Sequence, residues 1–283
     1  MSDVLHASPL GKNSVYQAEY NPSLLFPVER KDKREALGID PDHLPFYGRD
    51  LWYGYELSWL NRSGKPVVRV AQIELPCHSP CLIESKSFKL YLNSFNQSRF
   101  ECAEQVADRL TEDLSAAAKA PVVVRLYTIN EFETRAFDRA PGINIDELDV
   151  AIDCYQYDSS HLAKSPAGSK TVPSGNAISE TLHTHLLKSN CPVTGQPDWG
   201  TLVVSYRGEP VDHASLLKYI CSFRTHQEFH EQCVERAFVD LQKHYRLETL
   251  TVYAQYLRRG GLDINPWRST VNMKPELLRF IRQ

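Results

Sequence analysis

Between residues 99 and 120, RFECAEQVADRLTEDLSAAAKA places Val106, Leu110 and Leu114 at four-residue spacing, with the charges on the other side. That pattern predicts an amphipathic helix. On either side of it, PVVRVAQIEL at 66–75 and PVVVRLYTI at 121–129 are rich in β-branched residues and predict strands. KSFKLYLNSF at 86–95 alternates, is rich in aromatics and reads as another extended segment. The second half repeats this order. GTLVVSYRG at 200–208 predicts a strand bounded by glycine. ASLLKYICSF at 214–223 precedes an amphipathic helix at about 227–245, with Phe229, Cys233, Ala237 and Leu241 at four-residue spacing. ETLTVYAQYLRRGG at 248–261 predicts a closing strand ended by glycines, and ISETLHTHLLK fits either a strand or a helix. Residues 1–50 mix proline and charge without a period, which predicts an extended, wrapping segment.

The likeness between the halves extends to residues. YLNSFNQSRF at 91–100 aligns with YICSFRTHQEF at 219–229: both read Tyr-x-x-Ser-Phe, then a second Phe, then a helix. Matching order and matching motif predict duplication of one α+β module, with a join near 135–150. The copies differ in their polar residues. Degenerate duplication divides labour, so a site is expected to need parts from both.

Composition narrows the function classes. The 283 residues are 42% hydrophobic and 24% charged, as expected of a globular chain with a sizeable core. A net charge of −3 argues against a basic nucleic-acid surface. No apolar run approaches the roughly 20 residues that span a bilayer. The N-terminus lacks a basic segment followed by an apolar run, so no secretory leader is expected. Seven cysteines, an odd number, fit a reducing cytoplasm with free thiols. Cys77 and Cys81 in CHSPC resemble half a metal knuckle, but no second pair stands at knuckle spacing.

Cys191 in HLLKSNCPVTGQPDWG is the sharpest candidate for chemistry. It sits in a turn-rich loop, and Asp198 seven residues on is placed to take a thiol proton if the loop folds back. Cys221 and Cys233 fall on apolar faces and read as core. The same stretch allows zinc held by His183, His185 and Cys191 with an open position. In THQEFHEQC, His226 and His230 stand four apart, and Glu231 opens the helix near free backbone N–H groups. Such a pair suits proton movement by His230 and capture of a guanine-like N–H edge by Glu231, or merely a solvated, capped helix start. Glu84, Lys86 and Phe88 in ESKSFK would face one way along a strand. Arg258 and Arg259 with two glycines could meet phosphates or end a strand. There is no Gly-x-Gly-x-x-Gly after a strand and no phosphate-binding P-loop.

Taken together, ESKSFKLY, LKSNC…QPDWG, FHEQCVE and RRGGLDINPWR resemble the NADPH-dependent 7-cyano-7-deazaguanine reductases, nitrile reductases of queuosine synthesis, in their long two-module form. The resemblance covers essentially the whole chain, without departure at the motif positions. It implies an α+β chain of two tandem tunnelling-fold modules, 1–140 and 141–283, each an antiparallel sheet with helices on one face. It implies Cys191 as nucleophile, Asp198 and His230 as acid/base groups, and His230 and Glu231 as substrate ligands, with Ile83, Glu84 and Ser85 near the substrate. NADPH, two per turnover and with no metal, falls to Ser85, Lys86, Arg259 and Gly260. A cytoplasmic homodimer acting on 7-cyano-7-deazaguanine, without nucleic acid or membrane, is the expectation. The competing reading on the same scaffold is a zinc-dependent pterin or purine hydrolase.

Overall fold

The computed structural model describes residues 16–133, 136–162, 177–273 and 278–282. The chain forms two compact units. The first comprises Met1–Asp42, Arg49–Ala136 and Arg258–Ile264; the second comprises His43–Gly48, Phe137–Leu257 and Asn265–Gln283.

In chain order the first half holds β1 (Pro27–Glu29), α1 (Lys31–Ala36), β2 (Tyr47–Leu60), β3 (Pro66–Pro76), β4 (Cys81–Ile83), α2 (Ser85–Asn93), α3 (Ala103–Ala118), β5 (Val123–Tyr127) and α4 (Ile129–Glu133). The second half holds β6 (Ile143–Asn144), β7 (Ile178–Asn190), β8 (Pro197–Gly208), α5 (His213–Ser222), α6 (His230–His244), β9 (Leu247–Tyr256) and β10 (Leu262–Ser269).

In the first unit β5, β3 and β2 are antiparallel neighbours. Trp52, Trp59, Ile73, Phe88, Tyr91 and Leu110 belong to one buried cluster, so α2 and α3 share a single core with the sheet. In the second unit the order is β6-β7-β8-β9-β10, with every pair antiparallel except β6 with β7. Ile220, Phe223, Val234, Phe238 and Leu241 from its helices are all buried.

The duplication expected from the Tyr-x-x-Ser-Phe motif is visible in the hydrogen bonds. Tyr91 Oη donates to Asp113 Oδ2 at 2.6 Å, and Tyr20 Oη joins it at 2.6 Å. Tyr219 Oη donates to Asp240 Oδ2 at 2.6 Å, joined by Tyr157 Oη at 2.7 Å. Ser94 and Ser222 each bond the tyrosine carbonyl three residues back, at 2.6 Å. Both long hairpins also carry a bulge at the same distance from the turn, between Gly54 and Leu57 in β2 and between Thr184 and Leu187 in β7.

The structure corrects several expectations. Residues 85–93 are the helix α2, not a strand, so Glu84, Lys86 and Phe88 do not share a strand face. Phe88, Tyr91, Leu92 and Phe95 supply i, i+3, i+4, i+7 apolar spacing, and Glu84 caps the N-terminus through the N–H groups of Lys86 and Ser87. The equivalent segment 213–222 is the helix α5, capped by Asp212. The expected irregular segment ends earlier than residue 50: Tyr47–Leu60 form a single long strand, β2. The segment 248–261 does not close the sheet: RRGG turns into a further strand, β10.

Candidate active site

The β7–β8 hairpin positions the thiol. Ser189 pairs with Asp198 and Asn190 with Pro197. The loop then closes on itself: Cys191 N–H donates to the Gln196 carbonyl at 2.9 Å, and Gly195 N–H donates to the Cys191 carbonyl at 3.0 Å. Gly195 takes φ +67°, a turn conformation that disfavours larger residues. Strand alternation puts Ser189 and Cys191 on one side of the hairpin, where both are buried, while Lys188 and Asn190 are half-exposed. Paired residues share a face, so Asp198 lies on that same side, diagonal to Cys191.

Helix α6 brings the imidazole. His230 is its first residue, and its Nε2 lies 3.3 Å from Asp198 Oδ1, with both side chains almost wholly enclosed. Tyr256 of β9 stacks flat on the His230 ring, with centroids 3.9 Å apart and planes 5° apart. Glu231, the next residue of α6, is 2% exposed. Just before the helix, Glu228 accepts from His226 Nε2 at 2.9 Å and from Arg236 Nε at 2.9 Å and Nη2 at 2.5 Å. Burial pushes the Glu228 carboxyl up, but these bonds outweigh it and hold the group down at about 2. This anchor escaped the sequence reading, because nothing in local spacing marks an Arg eight residues downstream as its partner. His226 does not share a helical face with His230, contrary to the i, i+4 reading: it precedes α6 in extended conformation and turns to Glu228.

The zinc set is not assembled. His183 Nδ1 meets the Pro141 carbonyl at 2.9 Å, and His185 Nδ1 meets Thr201 Oγ1 at 2.9 Å. Cys191 lies six residues beyond His185 along the β7 direction, about 20 Å at strand rise. Among the described residues no three His, Cys, Asp or Glu side chains form a metal-binding group.

The remaining candidates lie in the first unit. Ile83 ends β4 and is buried in the core. Glu84 is fully buried, with Oε1 accepting from Lys86 N–H at 2.6 Å and Oε2 from Ser87 N–H at 2.8 Å. Burial raises its carboxyl, opposed by those two N–H bonds. Ser85 and Lys86 open α2 and are half-exposed. Arg259 and Leu262 exchange backbone bonds around Gly260 and Gly261, whose φ values of +58° and +72° match a type I′ hairpin turn. A Cβ on Gly260 would sit 3.2 Å from Lys89 Cδ, so this turn lies directly against α2. A cleft beside them is lined by Glu56, Lys89, Asn93 and Gly260. Lys89 therefore joins the two motifs that sequence reasoning linked only by resemblance.

The other module provides an internal reference for the thiol hairpin. In the first unit Leu60 pairs with Pro66 and Trp59 with Val67, and Asn61 N–H donates to the Lys65 carbonyl at 3.0 Å. Asn61 thus stands where Cys191 stands, Val67 where Asp198 stands and Trp59 where Ser189 stands. The Asn61 side chain closes its own turn through the N–H groups of Ser63 and Lys65. One hairpin is stapled and packed; its copy carries a thiol, a carboxylate and a small residue.

These features define a duplicated α+β protein with thiol, carboxylate and imidazole grouped in the second module. Two family models match it: "nitrile reductase, 7-cyano-7-deazaguanine-reductase N-term" over residues 16–126 and "QueF-like protein" over residues 197–275. A protein of Dechloromonas aromatica (strain RCB) named NADPH-dependent 7-cyano-7-deazaguanine reductase is 53% identical over all of this chain and 98% of its own length. A protein of the same name from Aromatoleum aromaticum is 55% identical over 93% of this chain and 91% of its own. The crystal structure of an archaeosine synthase QueF-Like in the apo form aligns with 36% of this chain at 14% identity and a TM-score of 0.30. The chain belongs to the family of NADPH-dependent 7-cyano-7-deazaguanine reductases.

Proposed function

We propose that this protein reduces the nitrile of 7-cyano-7-deazaguanine to the aminomethyl group, as an oxidoreductase of queuosine biosynthesis working through a covalent bond to Cys191. The observation that carries the assignment of residues is the placement of Cys191 on the same hairpin face as the buried Asp198–His230 pair.

A nitrile accepts hydride poorly, and thiolate addition converts it into a better acceptor. Cys191 sulfur bonds to the nitrile carbon while Asp198 takes the thiol proton and returns it to nitrogen, giving a thioimidate. NADPH, as co-substrate, supplies one hydride to that carbon and a second to the imine left when the carbon–sulfur bond breaks. With two protons from solvent the nitrile becomes the amine and the Cys191 thiol is restored. His230, in contact with Asp198, protonates the developing amine. Glu231 holds the N–H edge of the deazaguanine and so aims the nitrile, a positioning contribution.

Ser85, Lys86, Arg259 and Gly260 are proposed to hold NADPH. The cationic first turn of α2 and a glycine turn whose Cβ would crowd Lys89 suit a ligand carrying phosphates. Ile83, Glu84 and Ser85 are proposed near the substrate, with Glu84 fixing the helix end from which Ser85 and Lys86 project. The protein is proposed to act in the cytoplasm as a homodimer, without nucleic acid. Among the described residues β5 and β6 end the strand order, which supports building a second copy there. Among the described residues no helix is long and apolar enough to cross a membrane.

The test is intact mass after mixing with 7-cyano-7-deazaguanine in the absence of NADPH. Wild type is expected to gain one substrate mass, discharged on adding NADPH; Cys191→Ala is expected to gain none. No adduct on wild type, or the same adduct on both, overturns the assignment.

A further inference from the structure

Among the described residues His230 makes its polar contact through Nε2, 3.3 Å from Asp198. Its Nδ1 is buried and has no partner among the described residues. In most working histidines a hydrogen bond at the second nitrogen fixes the ring plane and tautomer. Here that device is missing, and a flat aromatic stack takes its place. Tyr256 lies 3.9 Å from the imidazole centroid with the planes within 5°. The tyrosine hydroxyl is buried and faces Ser189 and Cys233, short of a well-aligned hydrogen bond, so the ring rather than the hydroxyl meets the imidazole. The Tyr256 N–H donates to Asn265 Oδ1 at 3.2 Å. Gly200 of β8 pairs with it, and a Cβ there would sit 3.2 Å from Tyr256 Cδ1, so the absence of a side chain at Gly200 gives the ring its place.

We propose that Tyr256 is a positioning residue for the reductase reaction: its ring, seated over Gly200, sets the His230 imidazole so that Nε2 faces Asp198. The inference rests on the role of His230 given above. The hydroxyl is not the working part; the flat ring is. An aliphatic side chain of similar reach would leave the imidazole free to rotate about its side-chain torsions, and small misplacements of an acid/base group cost large factors in rate.

The experiment is a mutant cycle on the full-length enzyme with Tyr256→Leu, Tyr256→Phe, His230→Asn and the double variant Tyr256→Leu/His230→Asn. Steady-state kinetics with 7-cyano-7-deazaguanine and NADPH are combined with the adduct mass measurement. Tyr256→Leu is expected to lower kcat about tenfold, leave KM for the nitrile within about twofold and keep the Cys191 adduct, because it acts through His230 alone. Tyr256→Phe, which keeps the stack, is expected to recover most of that loss. In the His230→Asn background the leucine is expected to change kcat by less than about twofold. If Tyr256→Leu does not fold, Gly200→Ala, whose Cβ would press on the ring at 3.2 Å and on the Gln255 carbonyl at 3.1 Å, replaces it in the cycle. Losses that multiply in the double variant, or a raised KM with unchanged kcat, overturn the proposal while leaving the role of His230 intact. If His230→Asn retains wild-type kcat, the role of His230 fails, and this inference with it.

Discussion

Glu228→Gln is the most informative test of how the second unit holds the start of α6 in place. The carboxylate sits one residue before Phe229 and two before His230, locked between Arg236 and His226. Its side chain is 4% exposed, so solvent screens the pair little. The carboxyl is held down at about 2 against an ordinary 4.5. At about 1.4 kcal/mol per tenfold, that gap corresponds to roughly 3 kcal/mol of stability at neutral pH. Removing one partner of a buried ion pair costs about 3–5 kcal/mol by independent experience, so the two figures agree. The sign follows from the depressed value. The contribution is complete above about pH 4.5 and fades as acid approaches pH 2, because only there does the folded protein take up the proton that the unfolded chain took up earlier. For 283 residues, an unfolding entropy of about 2.1 cal/mol/K per residue turns roughly 3 kcal/mol into a Tm drop of about 5 °C. Calorimetry of wild type and Glu228→Gln across pH 7 to 2.5 measures it. The gap should be about 5 °C at pH 7 and should shrink below pH 4.5. A gap that stays constant down to pH 2.5, or none at pH 7, refutes the reasoning.

Three further outcomes follow from the same structure. Asp240→Ala leaves the buried Tyr219 hydroxyl and that of Tyr157 without their shared acceptor and should cost about 2–5 kcal/mol in urea titration; Asp113→Ala, which strands Tyr91 and Tyr20, should cost a similar amount. Gly260→Ala forces a side chain into a turn residue at φ +58° and toward Lys89; it should raise KM for NADPH several-fold while KM for the nitrile stays within about twofold, read by NADPH oxidation.

The parts of the molecule that were legible in the sequence are those where periodicity is unbroken. Val106, Leu110 and Leu114 announce α3, and β3, β5 and β8 announce themselves by β-branched runs. β2 was lost because its bulge between Gly54 and Leu57 shifts the alternation partway along. α2 was misread because Phe and Tyr favour strands in isolation, whereas the cap at Glu84 and packing on the sheet decide for a helix. The cysteine and aspartate were legible as a pair because a hairpin of glycine and proline joins them. Glu228 with Arg236 was not, since nothing in local spacing marks a partner eight residues on, nor was Tyr256 on His230, since β9 and α6 meet only in the folded chain.

The stapled hairpin of the first module bears on how such a chain could ever acquire a second reactive centre. Converting Asn61 to cysteine would supply sulfur beside Trp59, a large side chain 1% exposed at the position that Ser189 takes in the copy. It would supply no proton acceptor, because Val67 stands at the aspartate position. The same substitution would remove the Asn61 bonds that close the turn. Three coordinated replacements would be needed before the first gave any benefit, and each alone would weaken the core or the loop. Adaptive steps of one residue therefore lead away from symmetry. A cysteine at Asn61 would therefore lack a small neighbour, a proton acceptor and a closed turn at once.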